Sequence, residues 1–161
     1  MLPVDGIPTW EDVLSKAPPE ERIKKGAVAI IECWQEIPCN PCVVACPTGA
    51  ITMEKLTAIP QIDFDKCIGC ALCAAACPGL AISLIDGSKD DGERVTIPYE
   101  FPLPEVGETV DCLDHSGNVV CEGTIEKVVH LPAVNKKDKT PMVTIKVPQG
   151  YGLKVRFFKR R

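Results

Sequence analysis

The stretch Cys67-Ile68-Gly69-Cys70-Ala71-Leu72-Cys73-Ala74-Ala75-Ala76-Cys77-Pro78 decides how this chain is read. Its pattern is C-x2-C-x2-C-x3-C-P, a spacing that suits thiolate ligation of an iron–sulfur cluster. The residues between the ligands are small or apolar, so the backbone can wrap closely, and Gly69 sits where the loop must turn. A similar phrase lies upstream: Cys39-Asn40-Pro41-Cys42-Val43-Val44-Ala45-Cys46-Pro47, with a further thiol at Cys33. Eight thiolates satisfy two cubane clusters of four ligands each, which points to one-electron chemistry.

The two phrases form an internal repeat. Cys39, Cys42 and Cys46 recur at Cys70, Cys73 and Cys77, an offset of 31 residues that also carries Pro47 to Pro78, Ala50 to Ala81, Ile51 to Ile82 and Ile31 to Ile62. Each copy reads strand, cysteine loop, short helix, Cys-Pro, strand. Apolar runs bounded by Pro, Gly and Asp place strands at 27–32 and 50–53 in the first copy, and at 61–64 and 81–85 in the second. The short helices are Val43-Val44-Ala45 and the Ala-rich 71–76, each stopped by proline. Ile31, Ile37, Val43, Val44, Ile62, Leu72 and Ile82 are the expected dry shell.

In these motifs the chain resembles the two-cluster bacterial ferredoxin family, over residues 27–86 or so. The resemblance implies a ferredoxin-like (βαβ)2 fold with pseudo-twofold symmetry and crossed ligation, in which the last cysteine of each motif serves the other cluster. On these positions it implies Cys33, Cys39, Cys42 and Cys77 for cluster 1, and Cys67, Cys70, Cys73 and Cys46 for cluster 2. The chain departs from the pattern at one point. The counterpart of Cys67 is Glu36, and the nearest upstream thiol is Cys33, which gives C-x5-C. A loop expansion over 34–36 that leaves Cys33 a ligand accounts for this, because iron prefers thiolate to carboxylate. The alternatives are ligation by Glu36 or a three-iron cluster. Zinc would ask for two C-x2-C knuckles around one ion, and the triplet spacing speaks against it.

Bulk properties bound the reading. The chain has 161 residues, 45% of them apolar and only 5% aromatic, so a small unit would lean on its clusters as internal staples. Ten cysteines could form a secreted disulfide framework. Their tight clustering, the Cys-Pro endings and the absence of a signal-like opening point instead to a reducing, cytoplasmic setting. No apolar run is long enough for a membrane span. Residues 1–86 carry six basic and eleven acidic side chains, and residues 87–161 carry twelve and eleven. An acidic first half suits basic redox partners and argues against nucleic acid.

The flanks add two parts. Residues 1–26 read as a helical arm, with Thr9 and Asp12 as a capping box, a second helix start at Pro19-Glu20 and a stop at Gly26. Trp10 is expected to pack on the domain, and Trp34 lies beside Cys33. After a turn-rich linker at 87–92, short strands are expected at 94–97, 109–113, 119–129, 142–147 and 153–158. The fold class is therefore α+β: a ferredoxin-like iron–sulfur domain over 27–86, then a small all-β barrel-like domain over 87–161 with a basic tail. A hairpin turning near Ser116-Gly117 sets Cys112 opposite Cys121. This is a buried pair of small residues, or else a redox disulfide or third metal site. His115 and His130 lack ligand spacing and suit a turn and a strand end. The tail Lys154–Arg161 suits either a charge-protected edge strand or docking to an acidic subunit.

The stretch Ile31–Cys42 also resembles small ferredoxin-type proteins that accompany FAD-dependent amino-acid or amine dehydrogenases. That resemblance implies a non-catalytic electron-transfer subunit with two [4Fe-4S] clusters. It would sit in a hetero-oligomer with a flavoprotein and carry electrons from flavin to an acceptor. A free ferredoxin that shuttles between enzymes is the alternative.

Overall fold

Val28–Ile31 (β1) is a run of four apolar residues, all buried, the mark of a strand covered on both faces. It pairs antiparallel with Ile82–Asp86 (β4), Val28 opposite Ile85 and Ile31 opposite Ile82. Between them lie Pro41–Ala45 (α3), Ile51–Thr52 (β2), Gln61–Ile62 (β3) and Leu72–Ala76 (α4), with β2 and β3 paired antiparallel as a separate ribbon. α3 begins at 41 and α4 at 72, so the offset of 31 survives into three dimensions. The computed structural model describes residues 2, 4–130 and 140–161.

The N-terminal arm holds Trp10–Lys16 (α1) and Glu20–Ile23 (α2). The capping box forms as read: Thr9 Oγ1 accepts from Asp12 N, and the Asp12 carboxylate accepts from Thr9 N. Trp10 does not become core. It stays 46% exposed, and the Lys154 ammonium lies 5.8 Å from its ring centroid.

Past residue 92 come Glu93–Pro98 (β5), Thr109–Leu113 (β6), Val119–His130 (β7), Pro141–Val147 (β8) and Phe157–Arg160 (β9). The structure differs from a separate barrel in one respect. β5 pairs with β4 as well as β8, and a single seven-stranded antiparallel sheet runs β1-β4-β5-β8-β7-β6-β9. The turn at 87–92 continues the sheet, and β9 is left as its far edge. Apolar clusters fill the two ends, and a third, of Ile23, Val28, Ile30 and Ile85, joins the arm to β1 and β4. Ile31, Ile51, Ala74, Ile82 and Met142 lie near the cysteine loops, whereas Val95, Val110, Ile125, Ile145 and Phe158 lie in the β half. Tyr99 stacks on Phe158 at 4.7 Å and closes the second cluster.

The last strand starts four residues later than its sequence suggests. Lys154 N and Val155 N donate to Tyr151 O, while the buried Glu93 carboxylate accepts from Gly150 N and Gly152 N. These bonds hold 150–155 in a turn. The basic end that follows is neutralised within the chain: Arg160 is bidentate to Glu108, and Arg161 reaches Asp111 and Glu122. That is a charged-edge arrangement, with the Lys154 and Lys159 ammoniums outside these ion pairs.

One polar contact joins the two halves. Glu32, which follows β1, receives the Arg156 guanidinium on one oxygen and the His115 ring on the other. His115 is therefore a half-buried hydrogen-bond partner of Glu32, unlike the solvated turn histidine expected. Burial alone would raise the Glu32 carboxyl. The His115 hydrogen bond and the Arg156 charge outweigh it and hold the group below its ordinary 4.5. A depressed carboxyl contributes stability that is present above its unfolded value and lost as pH falls through the folded one. Glu32→Gln should therefore lower stability by about 3 kcal/mol near neutrality and flatten the acid limb below the ordinary carboxylate range. Thermal melts of both proteins across that limb check this, and an unchanged melting temperature at neutral pH refutes it.

Candidate iron–sulfur centres

Each cysteine loop is shaped by its own backbone. In the second, Gly69 has φ +68, and a Cβ there would lie 2.4 Å from Ala27 O. Ala71 caps α4 from the left-handed region at φ 64, a strain of about 1 kcal/mol for a residue with a Cβ. Both conformations turn the loop back on itself between Cys67 and Cys73. Cys73 lies within α4 and Cys42 within α3, both buried, and the two helices pack together. Cys46 and Cys77 occupy the helix C-caps in extended conformation and are half-buried.

The eight thiols fall into two neighbourhoods. Burial pushes the Cys73 thiol up to about 12, and the negative charges of Cys67, Cys70 and Cys46 add to it. Burial likewise pushes Cys42 up to about 11, with Cys77 and Cys39 adding. Cys39 is raised by burial and then by Cys77 and Cys33. Each group thus draws its fourth member from the other repeat. Cys46, Cys67, Cys70 and Cys73 line one small cavity, whose other walls include Ala29, Ile51, Ile62 and Ala71.

Backbone donors are aimed at sulfur. Ala50 N donates to Cys46 Sγ at 3.3 Å and Ala81 N to Cys77 Sγ at 3.4 Å, the same bond in both repeats. Ala29 N donates to Cys67 Sγ at 3.5 Å. For Cys46 burial acts upward, yet the Thr48 hydroxyl and the amides of Thr48, Ala50 and Ile51 outweigh it and lower the thiol. Buried thiols such as Cys42 and Cys73, which are hard to ionise alone, together with amides directed at Cys46, Cys67 and Cys77, fit a cationic cluster that stabilises thiolate. Among the described residues, no three His, Cys, Asp or Glu side chains converge on a single ion.

The remaining expectations divide. Cys33 packs against the apolar cluster beside the thiols, while Glu36 is exposed. Ile31 and Ile82 are buried shell residues, but Ile37 and Val44 are 45% and 64% exposed and line no dry wall. α3 is only five residues long, so one of its faces remains open to solvent. Trp34 is half-buried with the Lys16 ammonium 5.3 Å from its ring. Cys112 and Cys121 face each other as read, Cys112 fully buried in the β core with its thiol pushed up to about 12 by burial, so the pair sits as packed neutral thiols. His130 is exposed at the end of β7. Sequence reasoning missed Arg22, whose guanidinium donates to Cys67 O at 2.7 Å. The donors Ala50 and Ala81 were within reach, because they share the repeat offset.

Residues 37–81 match the 4Fe-4S dicluster domain family. The chain therefore carries 4Fe–4S clusters, and a dicluster match implies two of them. Seven of the eight clustered cysteines fall inside the match, and Cys33 lies just before it. The chain is 46% identical over 50 residues to a putative oxidoreductase, UacF, of Escherichia coli, which covers 30% of this chain and 8% of that protein. It is 53% identical over 38 residues to the thiosulfate reductase electron transfer subunit PhsB of Salmonella typhi, covering 24% of this chain and 19% of that one. It is 42% identical over 48 residues to pyruvate synthase subunit PorD of Methanothermobacter marburgensis, covering 30% and 53%. The chain thus spans only part of the length of each of these relatives. No solved structure matches it. Among the described residues no helix is long and apolar enough to cross a membrane.

The Gly69 geometry sets a test. Gly69→Ala drives a Cβ into a backbone carbonyl and strains φ, so the dicluster domain should lose about half its iron, one cluster of two. Iron and sulfide assay after anaerobic purification measures this, and full iron content refutes it.

Proposed function

We propose that this chain carries single electrons through two 4Fe–4S clusters as the non-catalytic subunit of a larger oxidoreductase. In the ferredoxin-like (βαβ)2 unit at 27–86, Cys33, Cys39, Cys42 and Cys77 hold one cluster, and Cys67, Cys70, Cys73 and Cys46 hold the other. The observation that carries this reading is the sorting of eight thiols into two crossed groups, one of them lining its own cavity. The arm at 1–26 and the β part at 87–161 brace this unit and face the rest of the assembly.

A bound cluster takes up or gives back one electron with little change of shape. The chain's own residues do the rest. Ile31, Ile51 and Ile82 keep water from the thiolates. The amides of Ala29, Ala50 and Ala81 stabilise negative charge on sulfur and set how readily an electron is accepted. No group on this chain is required to move a proton in that step.

Two of these relatives are by name enzyme subunits, and PhsB is by name one for electron transfer, which supports the subunit reading. For the partner, the resemblance of Ile31–Cys42 to ferredoxin-type companions of FAD-dependent amino-acid or amine dehydrogenases favours a flavoprotein as electron donor. Expression with affinity capture from the native host should bring down a flavin-containing polypeptide. The isolated chain should be brown and pass electrons to an acceptor dye yet oxidise no amino acid or amine. A chain that runs alone in the native extract overturns the subunit reading, and one that takes no electron overturns the function.

The open point in the first ligand set has its own test. Cys33→Ser should reduce bound iron and give a three-iron EPR signal, whereas the exposed Glu36→Gln should leave iron and EPR unchanged. The reverse pattern would assign the ligand to Glu36.

A further inference from the structure

Arg22 stands apart from the other arginines. Arg94, Arg156, Arg160 and Arg161 each contact a carboxylate. Arg22 Nε donates to Phe64 O at 2.8 Å, Nη1 to Gly26 O at 3.0 Å, and Nη2 to Ala27 O at 3.0 Å and Cys67 O at 2.7 Å. All four acceptors are neutral carbonyls, and among the described residues no carboxylate forms an ion pair with it. The side chain is half-buried. A full positive charge, screened by no counter-ion in contact, is thus pinned against the first cysteine of the second loop.

The position is built from three sides. Ala27 O, which Arg22 holds, is also the atom that Gly69 must make room for. Ala29 N, two residues on, donates to Cys67 Sγ. The guanidinium therefore joins the end of the arm, the residue that leads into β1, and the Cys67 loop. Its planar fork of five donors allows this, and a lysine could not reproduce it. The thiol group of Cys33, Cys39, Cys42 and Cys77 has a different neighbour: Arg156, on the Glu32 that precedes Cys33, is already neutralised by that carboxylate.

We infer that Arg22 tunes the cluster bound by Cys46, Cys67, Cys70 and Cys73, its unpaired charge making that cluster easier to reduce than it would otherwise be. The inference rests on the ligand assignment proposed above. The step is the uptake of one electron from a redox mediator. No bond forms or breaks and no proton is needed, but negative charge grows beside a fixed cation in a partly desolvated site, where the attraction is weakly screened. Arg22 acts through Cys67 and is a positioning residue.

EPR-monitored redox titration of the purified whole chain tests this. Arg22→Gln should shift one of the two reduction waves down by about a tenfold change in its equilibrium, about 59 mV for one electron, and leave the other in place. Arg22→Lys keeps the charge and loses most of the hydrogen bonds, so it should melt earlier but keep both waves near their wild-type positions. Should Arg22→Gln retain too little cluster to titrate, Arg22→Ala with added methylguanidinium or neutral methylurea takes its place. Methylguanidinium should move the wave back up and methylurea should not. The inference is overturned if neither wave moves, if Arg22→Lys moves a wave as far as Arg22→Gln, or if methylurea restores it equally. A wild-type protein with iron for fewer than two clusters fails the underlying reading and takes the inference with it. Two clusters with no shift fail the inference alone.

Discussion

The antiparallel pairing of β1 with β4 is the constraint on which the rest depends. These strands come from opposite ends of the cysteine-rich segment, and their register sets Ile31 against Ile82. Joining them brings α3 beside α4, and with the helices come the buried thiols of Cys42 and Cys73. Only then does the end of one motif meet the start of the other, so that Cys42 feels Cys77 and Cys73 feels Cys46. Each motif alone is a short string of thiols on a loop of small residues. Two such loops, closed by one strand pair, make two enclosed groups.

The parts outside the repeat work on this closed unit. β5 extends the sheet from β4, so the β half is hydrogen-bonded directly to the strand that closes the repeat. Arg22 comes from the arm and holds the Cys67 loop, and Glu32, one residue before Cys33, is clamped by His115 and Arg156 from the β half. Both flanks therefore touch residues at or beside the clustered cysteines. A chain with 5% aromatic residues has little large apolar volume for its core, and these polar ties across the halves add specificity where apolar volume is short.

Much of this was legible in residue order because it is local or repetitive. The offset of 31 between α3 and α4, the Thr9–Asp12 capping box and the facing of Cys112 and Cys121 across a hairpin all follow from rules that span a few residues or one turn. The misreadings have a common cause. Ile37 and Val44 are apolar and sit among the clustered cysteines, but Ile37 lies in the loop before α3 and a five-residue helix cannot bury the face that carries Val44. The start of β9 was obscured because Glu93, a residue of a distant strand, fixes the turn before it. His115 looked solvated because its partner lies 83 positions earlier.

By itself, then, the sequence determined which thiols form a set and how they are spaced: spacing is set by covalent geometry within a dozen residues, and the repeat states the motif twice. The tertiary structure decided which thiols become neighbours and what surrounds them. It set Cys77 beside Cys42 and Cys46 beside Cys73, ran one sheet through both halves and placed an unpaired guanidinium at Cys67, because each of these joins groups tens of residues apart whose meeting depends on packing and strand register.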